Sequence, residues 1–352
     1  TRTEAKNVYR LEVRKAEPSF DLVAWPFNAP NVTNDRSAPA KPVALRKGAT
    51  LALQVAAVRK DGLEGEIELR AEGLPAGVTA TGSKVPAGKG QGFVFLTAEE
   101  KAPGGLSEVK IIGRALANGK PVERELSWAS VIWHVGDMNT EIPRTRLATQ
   151  KLVSVTSAEM QPISIAAAED KVFEGPVGKP LTVPLKVAWR GEATSAIKLK
   201  VLGTGFEGAK EFDVALKAEK AEAVLDLAAL KTPPGEYTVA FYGVGKGKCR
   251  RGEESLAGLE AAQKQAEEKA KSAAYIAKVL GEAAKKATSE EKAIADQAAK
   301  EAADAQKAAD AAKVAATKAA TDAKKAAQPK DFADIIISEP VRIRVTAAVA
   351  KK

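Results

Sequence analysis

The chain has 352 residues, of which 45% are apolar, with a net charge of +9 and a mean hydropathy of -0.19. Its length indicates two or three domains. The sequence contains no run of about 20 apolar residues, so no membrane-spanning helix is predicted. One cysteine excludes an intrachain disulfide, and one cysteine with one histidine provides too few ligands for a histidine-based zinc site.

The excess positive charge lies outside the segment 253–328, which carries 13 acidic and 13 basic side chains. In the rest of the chain, Lys and Arg alternate with apolar residues and are not clustered with aromatics, which make up 5% of the sequence. A solvated basic strand face explains this pattern better than a nucleic-acid site does. We therefore expect no nucleic-acid partner.

The segment 1–17 predicts one strand, because Val8 to Arg14 alternates apolar and polar residues. Too little chain precedes this strand to complete a sheet. We therefore expect residues 1–17 to be the final strand of a preceding domain or a linker. A start at Thr1 rather than at Met indicates a processed product or a fragment, and it leaves open a signal peptide that has been removed.

Residues 18–140 predict a first antiparallel β-sandwich. Short alternating runs are separated by turns, and no helical period interrupts them. The runs are Phe20–Trp25, Thr50–Val58, Glu66–Arg70, Gly92–Thr97, Glu108–Ala115 and Pro121–Val135. Regularly spaced short strands of this kind are typical of antiparallel β-sandwiches.

Residues 141–157 are interpreted as a linker, and residues 158–349 as a second β-sandwich that is interrupted by the segment 253–328. Its predicted strands are Ile163–Ala166, two strands within Lys171–Arg190, Ala196–Leu202, Glu211–Lys217, Ala221–Leu227, Gly235–Val244 and a last strand within Ile335–Val349. The run Gly243–Lys248 lacks the spacing of a phosphate-binding loop, so we interpret it as a hinge between strand and insert.

The interrupting segment predicts helix, since Ala occurs 29 times in it and Lys and Glu are the next most frequent residues. Each half shows an unbroken 3-4 spacing of the kind found in coiled coils, with Ala where Leu is usual. In the first half the series is Leu256, Leu259, Gln263, Ala266, Ala270, Ala273, Ala277, Leu280, Ala284 and Ala287. In the second half it is Ala295, Ala298, Ala302, Ala305, Ala309, Ala312, Ala316, Ala319, Ala323 and Ala326.

Thr288 and Glu291 lie between the halves with the spacing of a capping box, which predicts that a second helix starts there. Two helices of similar length joined by a tight turn favour an antiparallel hairpin. The alternatives are a single uninterrupted helix or a charged low-complexity tract. Because the ends of a hairpin lie together, the strands before and after the insert must be neighbours.

Several stretches together resemble a known group of proteins. Leu63–Leu69, Gly73–Thr79 and Val85–Gly88 resemble bacterial Ig-like repeats with a G-x-I-x-L … GLPxGV pattern. Trp133–Leu152 and Pro162–Val187 resemble the linker and second Ig-like unit of planctomycete-type secreted proteins, in which a pre-peptidase C-terminal (PPC) domain precedes tandem Ig-like domains. Val8–Val13 resembles the closing strand of that PPC domain, and an Ala-rich helical insert also occurs there.

This resemblance implies an extracytoplasmic protein that is secreted, bound at the cell surface or periplasmic. The expected function is a non-catalytic structural or adhesive one, with the Ig-like modules as spacers and the hairpin as an assembly or partner-binding arm. The alternative is a non-catalytic accessory region of a larger secreted enzyme, with polysaccharide as a partner. The small number of aromatic residues argues against carbohydrate binding through an aromatic platform.

The residues expected to contact a partner are Tyr275, Ile276, Val279 and Ile294, because they are bulky and apolar but lie outside the 3-4 series. Their partner would be a second copy of the chain or another surface protein. The alternative is that they only cover the end of the hairpin.

Cys249 stands among Lys248, Arg250 and Arg251, and neighbouring cations lower a thiol's pKa, so it is a candidate reactive thiol. His134 is interpreted as an ordinary strand residue. Asp21, Asp35 and Asp137 form no D-x-D-x-D-G calcium loop. We therefore expect no catalytic residues, no cofactor and no metal site.

Overall fold

The computed structural model of the protein describes residues 13–27, 43–81, 83–132, 144–148, 150–250 and 253–347. The protein is mainly β, with 48% strand and 24% helix. Two β units follow each other along the chain, and a long helical hairpin emerges from the second. The prediction of a mainly β chain carrying a helical hairpin is confirmed.

The first unit contains thirteen strands within the described residues. They are β1 Ser19–Pro26, β2 Val43–Lys47, β3 Thr50–Lys60, β4 Ile67–Glu72, β5 Val78–Thr81, β6 Ser83–Val85, β7 Gln91–Ala98, β8 Gly105–Glu108, β9 Lys110–Ala117, β10 Lys120–Glu125, β11 Ser127–Ile132, β12 Arg144–Leu147 and β13 Leu152–Met160.

Three sheets surround the core of the first unit. Their strand orders are β12-β11-β1-β3-β7-β5, β10-β9-β4-β6 and β2-β13-β8. Alternating side chains from all three sheets are buried together, among them Leu22, Ile67, Leu96, Ile111 and Val153. The period-2 patterns in the sequence therefore identify the strand faces that are buried in the core.

Two segments of the first unit differ from the expectation. The run Pro121–Val135 is not one strand, because the chain is divided at Leu126 into β10 and β11, which belong to different sheets. Leu126 is fully buried where the chain crosses the core. Residues 141–157, interpreted as a linker, hold β12 and much of β13. These strands pair with β11, β2 and β8 of the first unit.

The second unit contains ten strands and a short helix within the described residues. They are β14 Ile163–Ala167, β15 Phe173–Pro176, β16 Pro180–Trp189, β17 Glu192–Ala193, β18 Ile197–Leu202, β19 Phe212–Val214, β20 Lys220–Asp226, α1 Leu227–Leu230, β21 Gly235–Cys249, β22 Lys330–Ile337 and β23 Val341–Thr346. One sheet has the order β14-β16-β20, and the other has the order β15-β23-β21-β18-β19, with β17 and β22 also paired to β21. Their buried faces share a second core.

The sequence predicted antiparallel sheets, but both units also contain parallel strand pairs. In the described part of the chain, three strand pairs are parallel: β1 with β11, β2 with β13, and β15 with β23. Each pair joins strands that are far apart in the sequence, because parallel neighbours need a long crossover connection. A pattern of alternating residues does not contain this information.

Strand β21 carries the hairpin. Its residues 242–249 pair antiparallel with residues 330–337 of β22, so the strands flanking the insert are neighbours, as the hairpin argument required. Two strands rather than one follow the insert, since residues 338–340 separate β22 from β23. The run Gly243–Lys248 is not a hinge but part of the continuous 15-residue strand.

The hairpin consists of α2 Glu253–Lys286 and α3 Lys292–Ala326, which pack against each other along their length. At about 1.5 Å per residue, each arm is about 50 Å long. All ten residues of the predicted first series are buried or half-buried. In the second series, Ala305, Ala312 and Ala326 are exposed, while Gln306, Ala320 and Ala327 are shielded instead.

The two β units share an apolar contact. Ala52 and Phe95 of the first unit are buried together with Leu202, Ala240 and Ile337 of the second. At the edge of this contact, the rings of Phe27 and Tyr242 meet edge to face at 4.9 Å between centroids. The units are therefore packed together rather than joined only by the chain.

Arg46 adds a polar link between the units. Its guanidinium donates to Glu159 in β13 at 3.0 Å and to Asp334 in β22 at 2.6 Å. The Arg46 side chain is only 23% exposed, so its ion pairs with Glu159 and Asp334 are weakly screened by water.

Replacing Arg46 by Met is expected to lower the free energy of unfolding by about 1–2 kcal/mol, because two carboxylates lose a half-buried partner. Equilibrium urea unfolding measures this change. The control Lys307→Met removes a cation that is 80% exposed and should leave stability within about 0.5 kcal/mol. Equal effects of the two substitutions would contradict a role for Arg46 at the junction.

Candidate functional site

The exposed apolar residues of the hairpin form the first candidate site. Tyr275 is 70% exposed, Ile276 51% and Val279 44%, all on α2, and Ile294 on α3 is 77% exposed. We call these four residues the hairpin patch. It occupies the part of the arm next to the turn, since Tyr275 lies eleven residues before the end of α2 and Ile294 is the third residue of α3.

Helix geometry gives the direction of these side chains. At about 100° per residue, Tyr275 points about 180° from the face of α2 that contacts α3, and Ile276 about 80° from it. Ile294 is offset from the contact face of α3 by a similar angle in the same rotational sense. Because the helices are antiparallel, equal offsets in the same sense place Ile276 and Ile294 on the same flank of the hairpin.

The opposite flank is charged. Lys324 pairs there with Glu260 at 3.1 Å and links the two arms, and Lys292 pairs with Asp296 at 3.4 Å. Both partners of the first pair are offset from their contact faces in the sense opposite to Ile276 and Ile294. In the part of the arm next to the turn, the Lys292–Asp296 pair therefore lies on the flank opposite Ile276 and Ile294.

The turn between the arms is built differently from the predicted capping box. The Glu291 N–H donates to the carbonyl of Thr288, and the Thr288 hydroxyl donates to the Glu291 carboxylate. Helix α3 begins only at Lys292, and Glu291 makes no side-chain capping bond. The Lys292 ammonium instead reaches back to the carbonyl of Ala284 near the end of α2. A side chain of α3 thus satisfies a backbone carbonyl of α2.

Cys249, the candidate reactive thiol, is 9% exposed and packs in the core of the second unit. It is the last residue of β21 and pairs with Lys330 at the base of the hairpin. Reactive thiols in proteins are partly accessible, whereas buried thiols are generally inert. The buried position of Cys249 therefore gives no support to a role as a reactive thiol.

The described residues include no group of three or more His, Cys, Asp or Glu that is placed to hold a metal ion. None of the described helices combines the length and the apolar character needed to cross a membrane. His134, Asp35 and Asp137 lie outside the described residues, as does most of the strand predicted at residues 8–14.

Sequence reasoning missed two features. Val314 on α3 is 69% exposed and lies on the side opposite the hairpin patch. It interrupts a run of Ala and Lys, which is the signal that could have identified it. The second feature is a cleft between the β units, whose walls come from strands distant in the sequence. No local pattern marks such a cleft.

Comparison of the chain with known protein families and with curated proteins found no match.

Proposed function

We propose that this protein is a non-catalytic structural component of a bacterial cell surface or envelope, and that the helical hairpin is its assembly arm. In this proposal the two β units are tandem Ig-like spacers and the hairpin is an Ala-rich coiled coil. The observation that carries the proposal is the hairpin patch, an exposed group of large apolar side chains on a projecting arm. Exposed apolar groups gathered in one place typically mark a contact surface.

The packing between the arms does not need these side chains. The contact faces of α2 and α3 are already occupied by residues of the 3-4 series, of which Ala270, Ala284 and Ala302 are the most buried, together with Ala320. Tyr275 points directly away from that contact. Tyr275 stays 70% exposed within one chain, and burying the rest of a side chain of this size against a partner would contribute up to about 2 kcal/mol.

The proposed partner is a second copy of the chain. The hairpin is electrically neutral, with 13 acidic and 13 basic side chains between positions 253 and 328, whereas the whole chain carries +9. Two arms can therefore approach without net repulsion, while two β bodies repel each other. The exposed residues Ala305 and Ala312 on the arm of Ile294 allow a neighbouring helix to come close.

Introducing Tyr275→Glu together with Val279→Lys is expected to abolish self-association, since it places two charges in the proposed contact without changing the net charge. Sedimentation velocity and light scattering over a range of concentrations measure the assembly state. Circular dichroism checks that the helices remain intact, which is expected because Glu and Lys are good helix formers.

The matched control is Val314→Glu together with Thr321→Lys. This pair adds the same two charges to an exposed part of α3 away from the hairpin patch and should leave assembly unchanged. If the native chain is monomeric at all concentrations, or if both variants assemble as it does, the hairpin patch is not a self-association surface.

A further inference from the structure

A cleft of about 640 Å³ lies between the two β units. One wall consists of the outer faces of β4, β6 and β9 in the first unit, and the other consists of β21 and β23 in the second unit. Volumes of this size are typical of ligand sites. The cleft lies on the β body, and its residues belong to neither the hairpin patch nor the arms.

The wall from the first unit carries a row of alternating charges across neighbouring strands. Glu123 of β10 lies opposite Arg114 of β9, Arg114 lies opposite Glu68 of β4, and Glu68 lies opposite Lys84 of β6. Of this row, Arg114, Glu68 and Lys84 line the cleft, and Arg70 of β4 joins them.

The wall from the second unit carries a similar row, in which Arg344 of β23 lies between Glu174 and Glu236. Arg344 binds both carboxylates, at 2.6 Å and 2.7 Å. Its hydrogen bond and charge hold the pKa of Glu236 below the usual range, and Lys84 from the opposite wall acts in the same direction. Arg344 and Glu236 therefore satisfy each other.

Three arginines in the cleft keep donors unused. Arg114 is exposed and forms no ion pair with any described residue. Arg70 makes only long contacts with Glu72 and Glu123, at 3.4 Å and 3.7 Å. Arg342 uses one nitrogen, for Asp170, whose side chain is 99% exposed. An arginine offers five donors in a planar fork, so each retains capacity for a bidentate acceptor.

Glu68 is the complementary acceptor. It lies between Arg114 and Lys84 in the strand register and forms no ion pair within the described residues. Tyr237, Leu69 and Ile343 also border the cleft, but their side chains pack against the cores of the two units. The cleft thus combines free guanidinium donors with a free carboxylate acceptor.

We propose that this cleft binds an anionic polysaccharide whose sugars carry carboxylate groups. Guanidinium forks match carboxylates in a bidentate geometry. Glu68 would accept hydrogen bonds from sugar hydroxyls, which the deoxyribose–phosphate backbone of DNA does not offer. The net charge of +9, which lies outside the neutral hairpin, attracts an acidic polymer to the β body.

The test uses oligogalacturonate as the probe and measures its affinity for the full chain by isothermal titration calorimetry. Arg70→Gln with Arg114→Gln is expected to weaken binding by at least about tenfold, because charge-assisted hydrogen bonds are lost. Glu68→Gln is expected to change the affinity less than the arginine variant does, since the amide keeps an oxygen acceptor and removes a negative charge that repels the bound carboxylates. Circular dichroism verifies that each variant is folded.

The matched control, Lys101→Gln with Lys179→Gln, removes the same two charges from exposed turns outside the cleft and should change the affinity less than about twofold. The proposal is overturned by any of three results. Oligogalacturonate does not bind, the control weakens binding as much as the arginine variant does, or uncharged dextran or duplex DNA binds as tightly as oligogalacturonate.

Discussion

Replacing residues 250–329 by a short Gly/Ser link is expected to remove nearly all of the helical circular dichroism signal and to leave the β signal and cooperative unfolding in place. Within the described residues, α1 is the only helix outside the hairpin, and it spans a single turn. Cys249 and Lys330 are paired neighbours on β21 and β22, so a tight link can join them without moving either strand.

The physical reason is that the two β cores are complete without the arms. Their buried clusters, as described, draw no side chain from residues 253–326. Loss of the β signal together with the helical signal would show that the hairpin is part of the folding core. That result would also contradict the interpretation of the hairpin as an arm that is independent of the β cores.

Gly243→Ala is expected to destabilise the second unit by about 3 kcal/mol, since overpacking is costly where the neighbours cannot move. A Cβ at this position would lie 2.4 Å from the backbone oxygen of Lys198 and 2.8 Å from Cγ2 of Ile197. A backbone atom inside a sheet cannot rotate away. Equilibrium urea unfolding followed by circular dichroism measures the loss.

Gly105→Ala provides the matched control, because Gly105 is also a strand glycine and a Cβ there would meet no atom within 4 Å. We expect its effect to stay within about 0.5 kcal/mol. Were Gly243→Ala equally harmless, the close approach of β18 to β21 would not constrain this position, and the glycines of β21 would need another explanation.

The hairpin illustrates what local sequence information can specify. Strong helix formers throughout the segment 253–328 and a repeated 3-4 spacing identify a helical element and its contact face, because both depend on neighbours within one or two turns. The adjacency of β21 and β22 also followed from the sequence, since closing a hairpin brings its ends together. The predicted contact face of α3 was wrong at Ala305, Ala312 and Ala326, because Ala is so frequent that several faces of that helix are equally apolar.

The run Gly243–Lys248 shows the limit of such reasoning. Glycines in a short stretch of sequence usually indicate flexibility. Gly243 and Gly247 instead lie within a strand, where any side chain would clash with the backbone of neighbouring strands. Those neighbours belong to β17 and β18, which are distant in the sequence, so no local pattern could reveal them. The parallel pairs β1 with β11 and β15 with β23 were hidden for the same reason.

Composition and side-chain period, read from the sequence without a structure, specify the elements of this protein: alternating strands, a neutral Ala-rich hairpin, and four bulky apolar residues outside the predicted contact series. Both are local properties of the chain. Tertiary packing was needed to establish that β12 and β13 belong to the first unit, that Cys249 is buried, and that Arg70 and Arg114 share a cleft with Arg342. These features depend on which distant strands pair and on how two β units pack, and the free energy of those contacts is not encoded in any single stretch of the chain.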